Sequence, residues 1–183
     1  KLDDPSERGF GQSANTVIAR ARYDLYSQSH IGAVFTDREF LGSYSRLTGV
    51  DSRLQVTPTA SIDFAALTTQ NRGVDGLDTT GSMFDGGYRH SGRNLSYNVS
   101  AYQIDPDFDT EVGFIRRRDI RRISSSAGYR WWPESWLINW GPEFQYSRNW
   151  DFDDVLEDEE ARLRLRMSFA KTLSFNGDIR REM

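Results

Sequence analysis

Apolar and polar residues alternate along most of this chain, most cleanly over residues 161–169, ARLRLRMSF. Ala161, Leu163, Leu165, Met167 and Phe169 share one side of an extended chain, and Arg162, Arg164, Arg166 and Ser168 share the other, because successive strand side chains point to opposite faces. A helical stripe through Leu156, Leu163, Met167 and Ala170 strands Leu165 and Phe169 off the stripe, although the acids of DDVLEDEE would suit a helix start. The period-two template misses nothing, so the segment reads as a strand with one oily wall and one charged wall.

The same test predicts strands over 16–26, 30–36, 44–57, 60–69, 82–90, 95–104, 120–131, 136–146, 161–170 and 173–179. Residues 1–13 are polar and read as a linker or loop, leaving 14–183 as a single β unit. The 37–43 stretch, DREFLGS, reads as a loop. Short connections at 27–29, 57–59, 91–94 and 132–135 alternate with longer ones at 70–81, 105–119 and 148–160. The expected fold is all-β: an antiparallel up-and-down meander of about ten strands, either a transmembrane β-barrel or a segment of one.

Composition leaves two solvents open for the oily wall. No run of about 18 apolar residues exists, so no transmembrane helix is expected. Mean hydropathy is low, −0.66, but a membrane-spanning barrel strand alternates and keeps its average low as well. A soluble antiparallel sheet alternates for its own reason, with one face on a core and one in water. Two features favour the bilayer. Tyr129, Trp131, Trp132, Trp136 and Trp140 gather round one turn, as at a membrane interface, and the oily wall contains many Ala and Ser positions. The alternative is a soluble β-sandwich or barrel with that Trp cluster as its core, or with Trp131, Trp132 and Trp140 as stacking platforms for a ligand such as a sugar.

Charge narrows the partners. The net charge of −4 gives no basic field for nucleic acid. The absence of cysteine excludes a disulfide framework and a thiolate metal site. The chain opens KLDDPSERGF, without Met or an apolar signal segment, which reads as an interior piece of a longer protein.

Candidate chemistry is sparse. Asp105, Asp107, Asp109 and Glu111 place carboxylates at alternate positions, as a calcium loop begins. Thr110 stands where such a loop needs Gly and Arg116 where it needs Glu, so a solvated acidic loop is the preferred reading, and no cofactor other than Ca²⁺ is suggested. The FIRRRDIRR run carries Arg116, Arg117, Arg118, Arg121 and Arg122. Arginines at this density can hold phosphates bidentately; pairing with acids of the barrel or of a neighbouring loop is the preferred alternative. Asp37, Arg38 and Glu39 read as ties between a loop and the wall. His30 and His90 lie far apart, and Ser29 beside His30 has no nucleophile elbow, so no catalytic residues are assigned. Asn94 and Asn98, each in an Asn-x-Ser triplet, read as polar inward positions. Arg20, Arg22, Asp24, Asp51, Arg53, Arg162, Arg164 and Arg166 complete an inward wall of mixed charge, typical of a hydrated or plugged lumen.

Two pairs of strings carry a resemblance: RYDLYSQSHIGAVFTDREF with SRLTGVDSRLQV, and PDFDTEVGFIRRRDIR with GYRWWPE. Together they resemble an uncharacterised bacterial family with an N-terminal carbohydrate-binding-like domain of the family-nine type and a C-terminal outer-membrane β-barrel. The likeness runs from about Arg20 to Pro142 and lies in the barrel portion alone. It implies a bacterial outer-membrane location, contact with lipid bilayer and lipopolysaccharide, and a carbohydrate-binding domain in the same parent chain or other envelope proteins as partners. The expected role is passage, uptake or anchoring rather than catalysis; a membrane-associated hydrolase is the remaining alternative.

Overall fold

The structure, a computed structural model, describes residues 11–26 and 28–183. Ten strands follow one another: β1 (Asn15–Tyr26), β2 (Ser29–Phe40), β3 (Ser43–Thr57), β4 (Ala60–Arg72), β5 (Asp78–Ser91), β6 (Leu95–Ile104), β7 (Ile120–Tyr129), β8 (Leu137–Trp150), β9 (Leu156–Phe169) and β10 (Ser174–Glu182). They form one antiparallel sheet in chain order, so every strand pairs with its sequence neighbours. The sheet is not closed: β1 and β10 each pair on one side only among the described residues.

The all-β meander matches the expectation from alternation; several boundaries do not. DREFLGS is not a loop, since β2 runs to Phe40 and β3 restarts at Ser43 around the Leu41-Gly42 turn. The expected 70–81 and 148–160 loops shrink to 73–77 and 151–155. Both corrections share a cause. Charged strand ends pair across the ladder and keep it hydrogen-bonded beyond the apolar stretch: Arg46 bonds Asp37 at 3.2 Å and Glu39 at 3.0 Å, and Arg72 bonds Asp78 at 2.6 and 2.7 Å. Only the 105–119 connection is long as expected. The expected linker 1–13 lies mostly outside the described residues; 11–14 carry no strand.

The registers assemble each strand's alternation into two continuous faces. On the first, Ala21 opposes Ala33, Val50 opposes Ala66, Phe84 follows, Val99 opposes Ser125, Ala127 opposes Phe144, and Phe144 opposes Leu163, which opposes Ile179. The second carries the charged and hydroxyl-bearing residues. Among the described residues no second layer of strands or helices covers either face. Among the described residues the buried hydrophobic side chains are Ala60, Phe108 and Ile120, while Leu163 is 50 % and Ile179 76 % exposed. The accessible surface of 12350 Å² compares with about 9,000 Å² for a compact chain of this mass.

The sheet is staggered in one sense. A row of ladder partners that starts at Ala21, in the middle of β1, runs through Ala33, Val50, Ala66, Phe84, Gln103, Arg121 and Trp150 to Leu156, the first residue of β9. Stagger accumulating in this way is the shear that a tilted, curling sheet needs in order to close.

Candidate functional site

The polar face is a set of ion-pair ladders flanking a neutral strip. On β1–β4, Arg20 binds Asp51 through both carboxylate oxygens at 2.8 and 2.9 Å, and His30 Nε2 stands 3.7 Å from the same carboxylate. Arg22 reaches Asp24 at 2.9 Å and Arg53 reaches Asp63 at 3.8 Å. On β8–β10, Arg164 and Arg166 share Glu143 at 4.0 and 3.7 Å, Arg162 binds Asp178 at 3.0 Å, and Arg180 binds Glu160 at 3.0 Å. The expected wall of mixed charge is therefore largely self-neutralised, and the acids that complete it are set by strand parity. Between the ladders, Asn98, Ser124, Ser126, Gln145 and Ser147 line a cleft of about 280 Å³ together with Arg122 and Glu160. Ser100 and Ser124 hydroxyls lie 2.8 Å apart, and Ser126 donates to Asn98. The residues of this neutral strip alternate in phase with the arginines, Asn98 among them as expected.

The arginine run is divided. Arg117 pairs with Glu157 on β9, Arg118 with Asp109 at 3.4 Å, and Arg121 with Asp154 at 2.7 Å while lying 4.3 Å from the Phe152 ring centroid. Arg116 has no ion-pair partner among the described residues. Arg122 turns to the polar face opposite Asn149. The five arginines of the run thus do not converge on one point.

Nor do the acidic candidates converge. Asp105 accepts hydrogen bonds from Ser82 N at 2.8 Å and Ser82 Oγ at 2.5 Å, Asp109 accepts from Thr110 N at 3.0 Å, and Asp107 is exposed. Among the described residues no three His, Cys, Asp or Glu side chains are grouped to hold a metal ion. Ser29 is buried and its Oγ accepts from Gln55 N at 2.8 Å. His90 stacks on Tyr97, with ring centroids 5.2 Å apart, on the opposite face from His30. Asn94 sits in the β5–β6 turn, donating to Arg130 O at 2.9 Å, while Asn98 faces the polar side as expected.

The aromatic cluster is real but divided. Trp131 bridges to Trp140 through two backbone hydrogen bonds, and their rings stack at 4.5 Å with Tyr129 at 4.6 Å. Trp132 points away: its Nε1 donates to Arg93 O at 3.1 Å, and Arg93 and Arg130 each stand 5.7 Å from its ring centroid. Trp136 stacks on Phe169 at 5.7 Å. These residues sit at the end of the sheet that holds the β1–β2, β3–β4, β5–β6, β7–β8 and β9–β10 turns. At the other end the apolar face is bounded by Tyr44, between Arg46 at 4.5 Å and Arg72 at 5.6 Å, and by Trp150 with Arg148 at 6.0 Å.

What this arrangement can do follows from its two surfaces. One is a polar wall with most of its charges matched in pairs, Asp85, Arg89 and Arg122 having no ion-pair partner among the described residues; the other is an apolar belt with aromatic and charged margins. Compared with protein-family models, with curated proteins and with solved structures, the chain matches none of them.

Proposed function

We propose that this chain is a segment of a bacterial outer-membrane β-barrel that serves passage, uptake or anchoring and does no chemistry of its own. One observation carries the reading: an apolar belt runs across all ten strands, and none of the described residues packs a second layer on it. In water, that belt would be an apolar surface far larger than the few hundred Å² a soluble monomer normally exposes. In a bilayer, it is the lipid-facing band of alternating strands, and the aromatic residues at its two margins are interfacial girdles. The side chains of Ala21, Tyr23, Ile31, Ala33, Val50 and Phe64 border an apolar groove of about 460 Å³, room for acyl chain segments. Arg46 and Arg72 beside Tyr44 stand where lipopolysaccharide phosphates would meet the loop-end margin. The matched charges of the other face suit a hydrated lumen. The carbohydrate connection rests on the resemblance of the sequence strings alone.

Reconstitution tests this reading. The protein refolded into vesicles containing brominated phospholipids is expected to lose most of its tryptophan fluorescence, with Trp136 and Trp140 close to the quencher. A monodisperse, detergent-free monomer with β-type circular dichroism and no quenching overturns the reading. It would favour a soluble ligand-binding sheet, for which quenching by oligosaccharides is the next measurement.

A further inference from the structure

The long β6–β7 connection, residues 105–119, does not extend away from the sheet but lies back across the polar face. Asp105 is tied to Ser82 of β5 through backbone and side chain. Phe108 is 2 % exposed and occupies the space over Gly81, where a Cβ atom would come within 2.2 Å of the Phe108 nitrogen. Asp109 N donates to Thr69 Oγ1 at 3.4 Å, and Asn71 Nδ2 donates to Asp109 O at 3.0 Å, both on β4. Glu111 N then donates to Ser45 Oγ on β3 at 3.2 Å, and the Glu111 carboxylate pairs with Arg38 on β2. Six residues later Arg117 pairs with Glu157 on β9.

Glu111 lies over β3 and, six residues on, Arg117 reaches Glu157 on β9, so the connection is a chord across the polar face.

The two halves of the chord are held differently. Residues 105–109 have backbone hydrogen bonds and the buried Phe108. Residues 110–118 are held chiefly by exposed ion pairs, Arg38–Glu111 and Arg117–Glu157, and Phe114 between them is 91 % exposed. Beneath and beside the chord, Thr36 Oγ1 and Asn71 Oδ1 are buried without a hydrogen-bond partner among the described residues. Lifting the chord would let water reach them.

We propose that residues 105–119 form a two-part strap over the polar face: a seated base, 105–109, and a tip, 110–118, that lifts when its ion pairs are screened. Where the sheet belongs to a closed barrel, the tip sets the bore at the loop end; that consequence rests on the barrel reading, whereas the strap stands on the sheet itself. The chain has no cysteine, so single cysteines report accessibility directly. Three are placed in the detergent-refolded chain: Ser45→Cys under the tip, Thr69→Cys under the base, and Ser96→Cys on open polar face. At low salt, maleimide is expected to modify Ser45→Cys and Thr69→Cys far more slowly than Ser96→Cys. At about 1 M NaCl, where charges are screened beyond about 3 Å, Ser45→Cys alone accelerates. Adding Arg38→Ala and Glu157→Gln, which leaves the strap's own sequence intact, accelerates it about tenfold at low salt, the release of two exposed ion pairs. Limited trypsin digestion after Arg116–Arg118 gives the same comparison without cysteines: the Arg38→Ala/Glu157→Gln variant is cut faster than wild type. Equal reactivity of Ser45→Cys and Ser96→Cys at low salt, or no acceleration on removing Arg38 and Glu157, overturns the strap. Failure of bilayer quenching leaves this result standing and removes only its meaning as a gate.

Discussion

Single residues here are constrained by backbone more than by a core, because there is almost no core. Gly141 is the sharpest case: a Cβ there would lie 1.9 Å from the Tyr129 carbonyl oxygen, at the point where the Trp131–Trp140 bridge closes the end of β7 against β8. Gly141→Ala is expected to destabilise the refolded protein by about 2 kcal/mol, as overpacking against backbone does, read as a lowered unfolding midpoint in urea. The opposite sign applies at the β9–β10 turn. Lys171 and Thr172 both adopt positive φ, 62° and 64°, a region that disfavours a β-branched residue. Thr172→Gly is expected to raise stability by about 1 kcal/mol in the same titration. Neither constraint was legible in the sequence. Ala170-Lys171-Thr172-Leu173 has none of the Asn-Gly or Asp-Gly signals of a two-residue hairpin turn, and Gly141 is special only because Tyr129, twelve positions away, is its neighbour across the ladder.

At the scale of the strand, parity decided nearly everything. Residues 161–169 of β9 are legible because five apolar and four polar residues alternate without a break, and its partner strands simply continue the pattern across the ladder. The boundaries that differ lie chiefly where polar or charged residues replace hydrophobic ones at a strand end. DREF in β2 and DEE in β9 look like loops to a hydrophobicity test, yet Asp37 and Glu39 meet Arg46, and Glu159 opposes Arg148 and accepts the Tyr146 hydroxyl at 2.5 Å. Such exposed pairs contribute little individually, so Arg46→Ala is expected to fray the β2–β3 hairpin locally, seen by amide exchange, and to leave global stability within about 1 kcal/mol of wild type. Leu163→Arg is the informative change on β9. In lipid, it costs about 2–4 kcal/mol near mid-bilayer; on a sheet whose apolar face meets water, it costs almost nothing. The refolding yield into vesicles and the urea midpoint distinguish the two.

Among the described residues the whole molecule is a staggered, open sheet with two unpaired edges and a strap slung across its polar face. Unpaired edges expose rows of N–H and C=O groups that invite further strands. In micelles the outward-pointing amides of β1 and β10 are expected to exchange with deuterium far faster than those of β3 to β8. Protection of both edges together would mean that the chain has closed on itself or on a second copy, and mass measurement separates those cases. The strap was invisible in sequence for the same reason that loops generally are. Its seat consists of Gly81, Thr69 and Ser45, small residues without pattern, and it joins positions 40, 66 and 73 residues apart.

The sequence by itself determined that this chain is a meander of alternating strands and which side chains share a wall, because side-chain parity is a local property fixed by the geometry of an extended backbone. Tertiary structure alone decided how far each ladder continues past its apolar stretch and that residues 105–119 cross the polar wall. Those outcomes depend on which strands become neighbours and on the stagger accumulated between them, and no window along the chain contains either.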